Sequence, residues 1–240
     1  MTLPQPGFLS GVRDLAHQYG ALFILDEMRS GFHLALGGAQ EYYGVTPDLA
    51  TFSKAIANGY AISVLAGRRD IMETISQTYF SSGFYTNSLS MATAVATIKK
   101  LQQKRIIDHL WRIGQGLIDG LNELAEDVGV EAAAVGISPM PFLVFTDADP
   151  KVREAARHIF YSETTRRGIL FHPNHHWFVS ASHTEQDLDH TLDICEGAFR
   201  LVKKELARGY RAPTGISGRD VGVADDTVVD RGPSAEKLKM

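Results

Sequence analysis

Apolar and polar positions alternate along this chain in blocks that change period several times. Pro6 to Tyr19 (PGFLSGVRDLAHQY) places Phe8, Val12 and Leu15 at helical spacing, with proline near the start and Gly20 as a stop. The next run, Ala21 to Leu25 (ALFIL), is short and continuously apolar, which predicts a fully buried parallel strand. Glycine-rich polar sequence reaches Gly44. Leu49 to Ser53 and Tyr60 to Ala66 then read as two further strands, taken as parallel with the first. Strand, loop and helix in alternation predict an α/β layer built on a mostly parallel sheet.

From Ser88 the pattern changes. SLSMATAVATIKKLQQ predicts a helix with Ser88 as its cap, and Ile106 to Val128 a longer amphipathic one. Apolar runs at Glu131 to Val135 and Phe142 to Phe145 follow. Val152 to Arg167 is helical, closed by Gly168, and Ile169 to Phe171 and Trp177 to Ser180 read as strands. Thr184 heads a last helix to about Arg208, with Glu185 and Asp187 in its first turn. The expected division is a partial α/β domain over 1–100, a smaller α+β domain over 101–208, and a disordered tail over 209–240.

Composition narrows the function classes. With 44% hydrophobic and 22% charged residues the chain can bury a core. A net charge of −4 gives no basic surface, so nucleic acid is not expected as a partner. No apolar run has membrane-span length, and MTLPQPGFL shows no signal-peptide pattern. Together with a lone cysteine, Cys195, which spacing assigns to a core, this predicts a cytoplasmic protein. His172, His175, His176 and His183 crowd together, but HPNHH lacks the spacing of a zinc site, and no metal is expected.

Two residues carry candidate chemistry. Asp26 follows buried apolar sequence, at a strand's carboxyl end where open α/β sheets bind ligands. Alone it reads more simply as a structural ion pair or helix cap. Lys54 sits among uncharged neighbours, Thr51 to Ser53 and Ala55 to Ala57, before the turn Asn58-Gly59. A lysine is ordinarily a solvated surface residue. Apolar company disfavours its ammonium form and suits an imine-forming amine. An acid for a pyridine nitrogen and a lysine for an imine are what pyridoxal chemistry needs. Glu27, Arg29 and His33 read as contacts to substrate or to the missing half of the site or, more simply, as loop charges in ordinary ion pairs, and Ser81 to Asn87 (SSGFYTN) offers hydroxyls and amides before a helix start, a natural phosphate site or an ordinary cap.

Several ordered segments resemble one family. PGFLSGVRDLAHQYGALFILDEMRSGF, PDLATFSKAIANGYAISVLAGRRDIM, NSLSMATAVATI and RRGILFHPNHHWFVSASHTEQDLDHTL together resemble the class III aminotransferases of fold type I, nearest the glutamate-1-semialdehyde aminomutase-like branch. The likeness runs from about Pro4 to Arg208. It implies a pyridoxal 5'-phosphate enzyme, a transaminase or aminomutase, acting on an amino acid or amine and an oxo-acid or aldehyde. Asp26 would pair with the pyridine nitrogen and Lys54 would form the Schiff base. The family's phosphate-binding threonine, donated across a dimer, falls on Gly83, which leaves Ser82 or Thr86 as the expected substitutes. HPNHHWF stands where many members place a carboxylate-binding arginine, and Ser88 stands where a proline is common.

The resemblance also implies a chain nearly twice this length. The early strands, the glycine-rich phosphate loop and the ring-stacking aromatic would precede Pro4. The expectation is therefore a homodimer or a complementing N-terminal half, without which the sheet keeps an unpaired edge. The competing expectation is a non-catalytic remnant that serves as a dimerisation or interaction module.

Overall fold

The computed structural model describes residues 3–212 apart from Phe80, Ser82 and Phe84. The chain divides into two units, one spanning Pro4–His109 and the other running from Leu110 onward.

In the first unit, helix α1 (Phe8–Gln18) ends at Gly20 and leads into strand β1 (Ile24–Asp26). A loop holding the single-turn helix α2 (Ala39–Tyr42) connects β1 to β2 (Leu49–Phe52), and β3 (Val64–Gly67) completes the sheet in the order β1-β2-β3. β1 and β2 are parallel, with Ile24, Leu25 and Asp26 opposite Leu49, Ala50 and Thr51. β3 runs antiparallel to β2, which corrects the reading of three parallel strands. The reason is local: the turn through Asn58 and Gly59, both at positive φ, sends the chain back without the crossover that a parallel partner requires.

β1 is also less buried than its apolar run implies. Ile24 is 52% exposed, because β1 is the sheet edge. The apolar stripe of α1 is likewise uncovered, with Phe8, Val12 and Leu15 all exposed. β2 is the buried strand, and Ala50 and Phe52 pack with Ile56, Ala57 and Ala94.

Asp48 ties the three strands together. Its carboxylate accepts the Phe23 amide at 2.8 Å, Arg68 at 2.8 Å and lies 2.8 Å from the His17 ring. Its own amide donates to the Phe23 carbonyl, and its carbonyl accepts the Arg68 amide. The bond from Phe23, then those from Arg68 and His17, hold its carboxyl well below the usual carboxylate range.

After the short helix α3 (Arg69–Met72), α4 (Ser88–Gln103) is capped by Asn87, whose side chain accepts the Ser90 amide. Ser88 is thus the first helical residue and not the cap.

The second unit is a helix-covered hairpin. The long helix α5 (Ile106–Val128) leads into β4 (Ala132–Ile137) and β5 (Met140–Phe145), an antiparallel pair closed through Ser138-Pro139. α6 (Pro150–Arg166) starts at Asp149, and α7 (Glu185–Ala207) at Thr184, where Thr184 and Asp187 form a reciprocal capping box. Phe160 and Phe199, wholly buried, pack with ring centroids 4.7 Å apart and planes tilted by 40°, among Leu121, Leu143, Val202 and Cys195. Burial pushes the Cys195 thiol up to about 12, so it serves as a core residue.

The segments Ile169 to Phe171 and Trp177 to Ser180 are not strands. Trp177 and Val179 donate their amides to the carbonyls of Pro141 in β5 and Pro139 in the turn before it, but this one-sided pairing does not make a ladder. Of the expected tail, 213–240 lies outside the described residues. Tyr210 rests against the second core and stands 2.9 Å from His158 Nδ1.

The Asp48 clamp generates a pH prediction. A carboxyl whose folded pKa lies below its unfolded value stabilises fully above the unfolded pKa, and that stability is lost as pH falls toward the folded one. Protection of the Phe23 amide against hydrogen exchange should therefore fall as pH drops from about 5 to about 2. Asp48→Asn should lower that protection at neutral pH and flatten its pH dependence.

Candidate functional site

The site grows from the carboxyl ends of β1 and β2. Registered residues of neighbouring strands carry their side chains on the same face, so Asp26 and Thr51 stand side by side. Asp26 Oδ1 accepts the Met28 amide at 2.9 Å and the Thr51 hydroxyl at 3.3 Å. Among the described residues Oδ2 accepts no hydrogen bond, and Asp26 is solvent-exposed.

Lys54 follows β2 after one intervening residue, Ser53. It opens a 3₁₀ turn, Lys54–Ala57, and takes φ 48°, a left-handed conformation that a side chain with a Cβ adopts at a cost. Two contacts hold the turn. The Ser53 hydroxyl donates to the Ile62 carbonyl at 2.7 Å, and Ile56 and Ala57 are buried against Phe52 and Ala94 of α4. The uncharged neighbours thus point inward, and Lys54 itself is exposed, where the sequence pattern suggested apolar enclosure. Among the described residues its amine has no hydrogen-bond or ion-pair partner.

Glu27 shapes the loop behind Asp26. It is 1% exposed and, among the described residues, pairs with no cation; instead it accepts the Ala39 and Gln40 amides at 2.8 Å each and the Ser30 hydroxyl. This corrects its reading as an ion-paired loop charge. Three donors compensate the buried carboxylate and bind both ends of the loop to the residue after Asp26. Gly38 completes the cradle at φ 84°, where a Cβ would lie 2.6 Å from Glu27 Oε2. Arg29 is exposed, and burial lowers the pKa of His33.

Thr86 stands in an exposed turn at φ 62°, immediately before the Asn87 cap of α4. Ser82 lies outside the described residues. The structure thus brings Asp26 and Lys54 to adjacent strand ends, and sets Thr86 at the start of the helix that packs on the Lys54 turn. Sequence reasoning missed Thr51, Asp48 and the role of Glu27. Asp48 alone had a visible signal, as an acid placed directly before a buried apolar run. In the second unit His175 stacks on His176 and meets His172 edge to face, and among the described residues no group of three or more His, Cys, Asp or Glu is arranged to hold a metal.

This architecture is that of the fold type I pyridoxal-phosphate transaminases. The chain matches the pyridoxal-phosphate internal aldimine form of the Sphingopyxis sp. MTA144 FumI protein with a TM-score of 0.80 and 29% identity, over 86% of this chain and 49% of that one. An omega-transaminase from Sphaerobacter thermophilus shares the fold, with a TM-score of 0.76 and 22% identity over 83% of this chain and 48% of that one. The family model Aminotransferase class-III matches residues 1–179, and the chain belongs to that family. It is 38% identical to a 3-aminobutyryl-CoA aminotransferase of Cloacimonas acidaminovorans (strain Evry), over 85% of this chain and 50% of the relative. It is 36% identical to a glutamate-1-semialdehyde 2,1-aminomutase of Desulfatibacillum aliphaticivorans, over 83% of this chain and 50% of the relative. The chain therefore spans about half the length of the curated relatives it matches. No helix among the described residues is long and apolar enough to cross a membrane.

The Glu27 cradle can be probed directly. Gly38→Ala must break both a backbone preference and the carboxylate contact, and should cost about 1–3 kcal/mol in urea unfolding. Gly44→Ala, at φ 65° with nothing within 4 Å of the added carbon, should cost less, about 1 kcal/mol.

Proposed function

We propose that this chain carries the acid and lysine of a pyridoxal-phosphate-dependent amino-transferring enzyme, a transaminase or aminomutase. One observation carries the reading: a carboxylate with one oxygen and a lysine amine that have no partner among the described residues stand at the ends of adjacent, registered parallel strands. This donor set fits the cofactor. Asp26 Oδ2 is free to accept a pyridine N–H, and the Lys54 amine is free to bond an aldehyde carbon.

When bound, pyridoxal phosphate supplies that aldehyde and a ring that withdraws electrons from the substrate carbon. Asp26, as a carboxylate, holds the proton on the ring nitrogen. Lys54 Nζ would hold the cofactor through its aldehyde carbon and, as a free amine, would serve as the base that carries the substrate's Cα proton. Thr86, at the start of α4, is the described hydroxyl we assign to the phosphate, in the site of a partner copy. The substrates are an amino acid or amine and an oxo-acid or aldehyde, and a single buried cysteine suits a reducing compartment such as the cytoplasm.

The rest of the site comes from sequence outside these 240 residues, whether continuous with them or on another chain. Two features support this. The relatives are about twice as long, and β1 offers an open edge beside the uncovered α1 stripe of Phe8, Val12 and Leu15. Such an edge invites a further strand.

The test is covalent trapping. The chain, co-expressed with the complementary half of a class III relative, is treated with cofactor and borohydride and then digested. The pyridoxyl mass should fall on the Lys54 peptide and vanish in Lys54→Ala. Asp26→Asn should keep the label and lose about 10²-fold or more in amino transfer. An unlabelled Lys54 peptide in the wild-type complex overturns the reading.

A further inference from the structure

We infer that Thr51 is a positioning residue for Asp26, fixing which carboxylate oxygen faces the cofactor. The inference rests on the proposed function. A carboxylate at the end of a strand can rotate about its Cβ–Cγ bond, and that torsion is broad and roughly two-fold. Free rotation would present either oxygen and spread the charge over both. Here two donors converge on the same atom. The Met28 amide reaches Asp26 Oδ1 from the chain just beyond it, at 2.9 Å, and the Thr51 hydroxyl reaches it from the neighbouring strand, at 3.3 Å. Oδ1 is thereby engaged, and Oδ2 is the oxygen left to a ring nitrogen.

The two donors are anchored in different ways. Met28 lies in the loop bound by the buried Glu27, where Gly31 donates to the Glu27 carbonyl. Thr51 lies in the buried strand β2, directly opposite Asp26 in the ladder, and its carbonyl accepts the Glu27 amide at 2.9 Å. Thr51 thus bonds both sides of the acid, through its hydroxyl to Asp26 and through its carbonyl to the next residue. Threonine also suits the place as a strand residue. Its branched Cβ restricts χ1, which keeps the hydroxyl aimed along the ladder. Valine preserves that shape and removes only the donor, and serine keeps the donor without the methyl.

The experiment uses the complex described above, in wild-type, Thr51→Val and Thr51→Ser forms, and reads cofactor affinity and the visible absorbance of the bound cofactor against pH. Thr51→Val should bind pyridoxal phosphate about 5–10-fold more weakly, an effect of the size of one ordinary hydrogen bond, because Asp26 is then held less firmly toward the ring nitrogen. Its absorbance transition should move to higher pH, because a less firmly held ring proton repels the protonated Lys54 linkage less. Thr51→Ser should restore both. A merely structural role for Thr51 would lower stability and leave the absorbance transition where it is. A Thr51→Val protein with wild-type affinity and transition overturns the inference while Lys54 remains labelled. Absence of label on wild-type Lys54, seen before any substitution at Thr51, overturns the proposed function and this inference with it.

Discussion

The first unit depends on one buried carboxylate. Asp48 engages the start of β1 through Phe23, the end of β3 through Arg68, and α1 through His17. Because it both accepts from and donates to Phe23, it fixes the β1–β2 register at the amino end of the pair. A slip of one residue would reverse the face of every side chain in the strand. In the observed register Asp26 reaches the carboxyl end opposite Thr51, and the chain enters the Lys54 turn shortly afterwards. The residues that hold the sheet together are thus at one end, and those that can do chemistry are at the other.

That separation explains why the chemical end can stay exposed and strained. Lys54 holds a left-handed backbone because Ile56 and Ala57 are buried beneath it and Ser53 is bonded to Ile62. Asp26 needs no cation to stay in place, since a backbone amide and a hydroxyl engage one of its oxygens. Glu27 takes the buried position beside it and spends its charge on three loop donors. Two adjacent acids therefore have opposite tasks, one organising the loop and the other facing outward.

Much of this was legible in the chain. α5 was readable at both ends because its apolar positions keep helical spacing from Ile106 to Val128. The apolar runs that lie within β4 and β5 and the helix start at Thr184 were similarly visible, whereas the pairing of the two runs as a hairpin was not. Asp26 and Lys54 were identifiable because both stand at the close of short apolar runs. Other features depend on long-range partners that no local pattern encodes. The direction of β3 follows from a turn, and the exposure of Ile24 from being at an edge. Trp177 to Ser180 has a strand-like pattern, yet its Trp177 and Val179 amides meet the carbonyls of Pro141 and Pro139 without forming a ladder. Thr51 is an ordinary strand threonine until the register sets it beside Asp26.

The central claim is that this register brings the acid and the lysine turn together, and a cross-link tests it most directly. Asp26→Cys combined with Thr51→Cys puts two thiols on directly opposed residues, about 5 Å apart between Cα atoms and within disulfide reach. Mild oxidation should close this pair rapidly, and Asp26→Cys with Ala50→Cys, whose side chains leave opposite faces, should stay reduced. The buried Cys195 should take no part. Cross-linking of the Ala50 pair in place of the Thr51 pair would contradict the register and the site built on it.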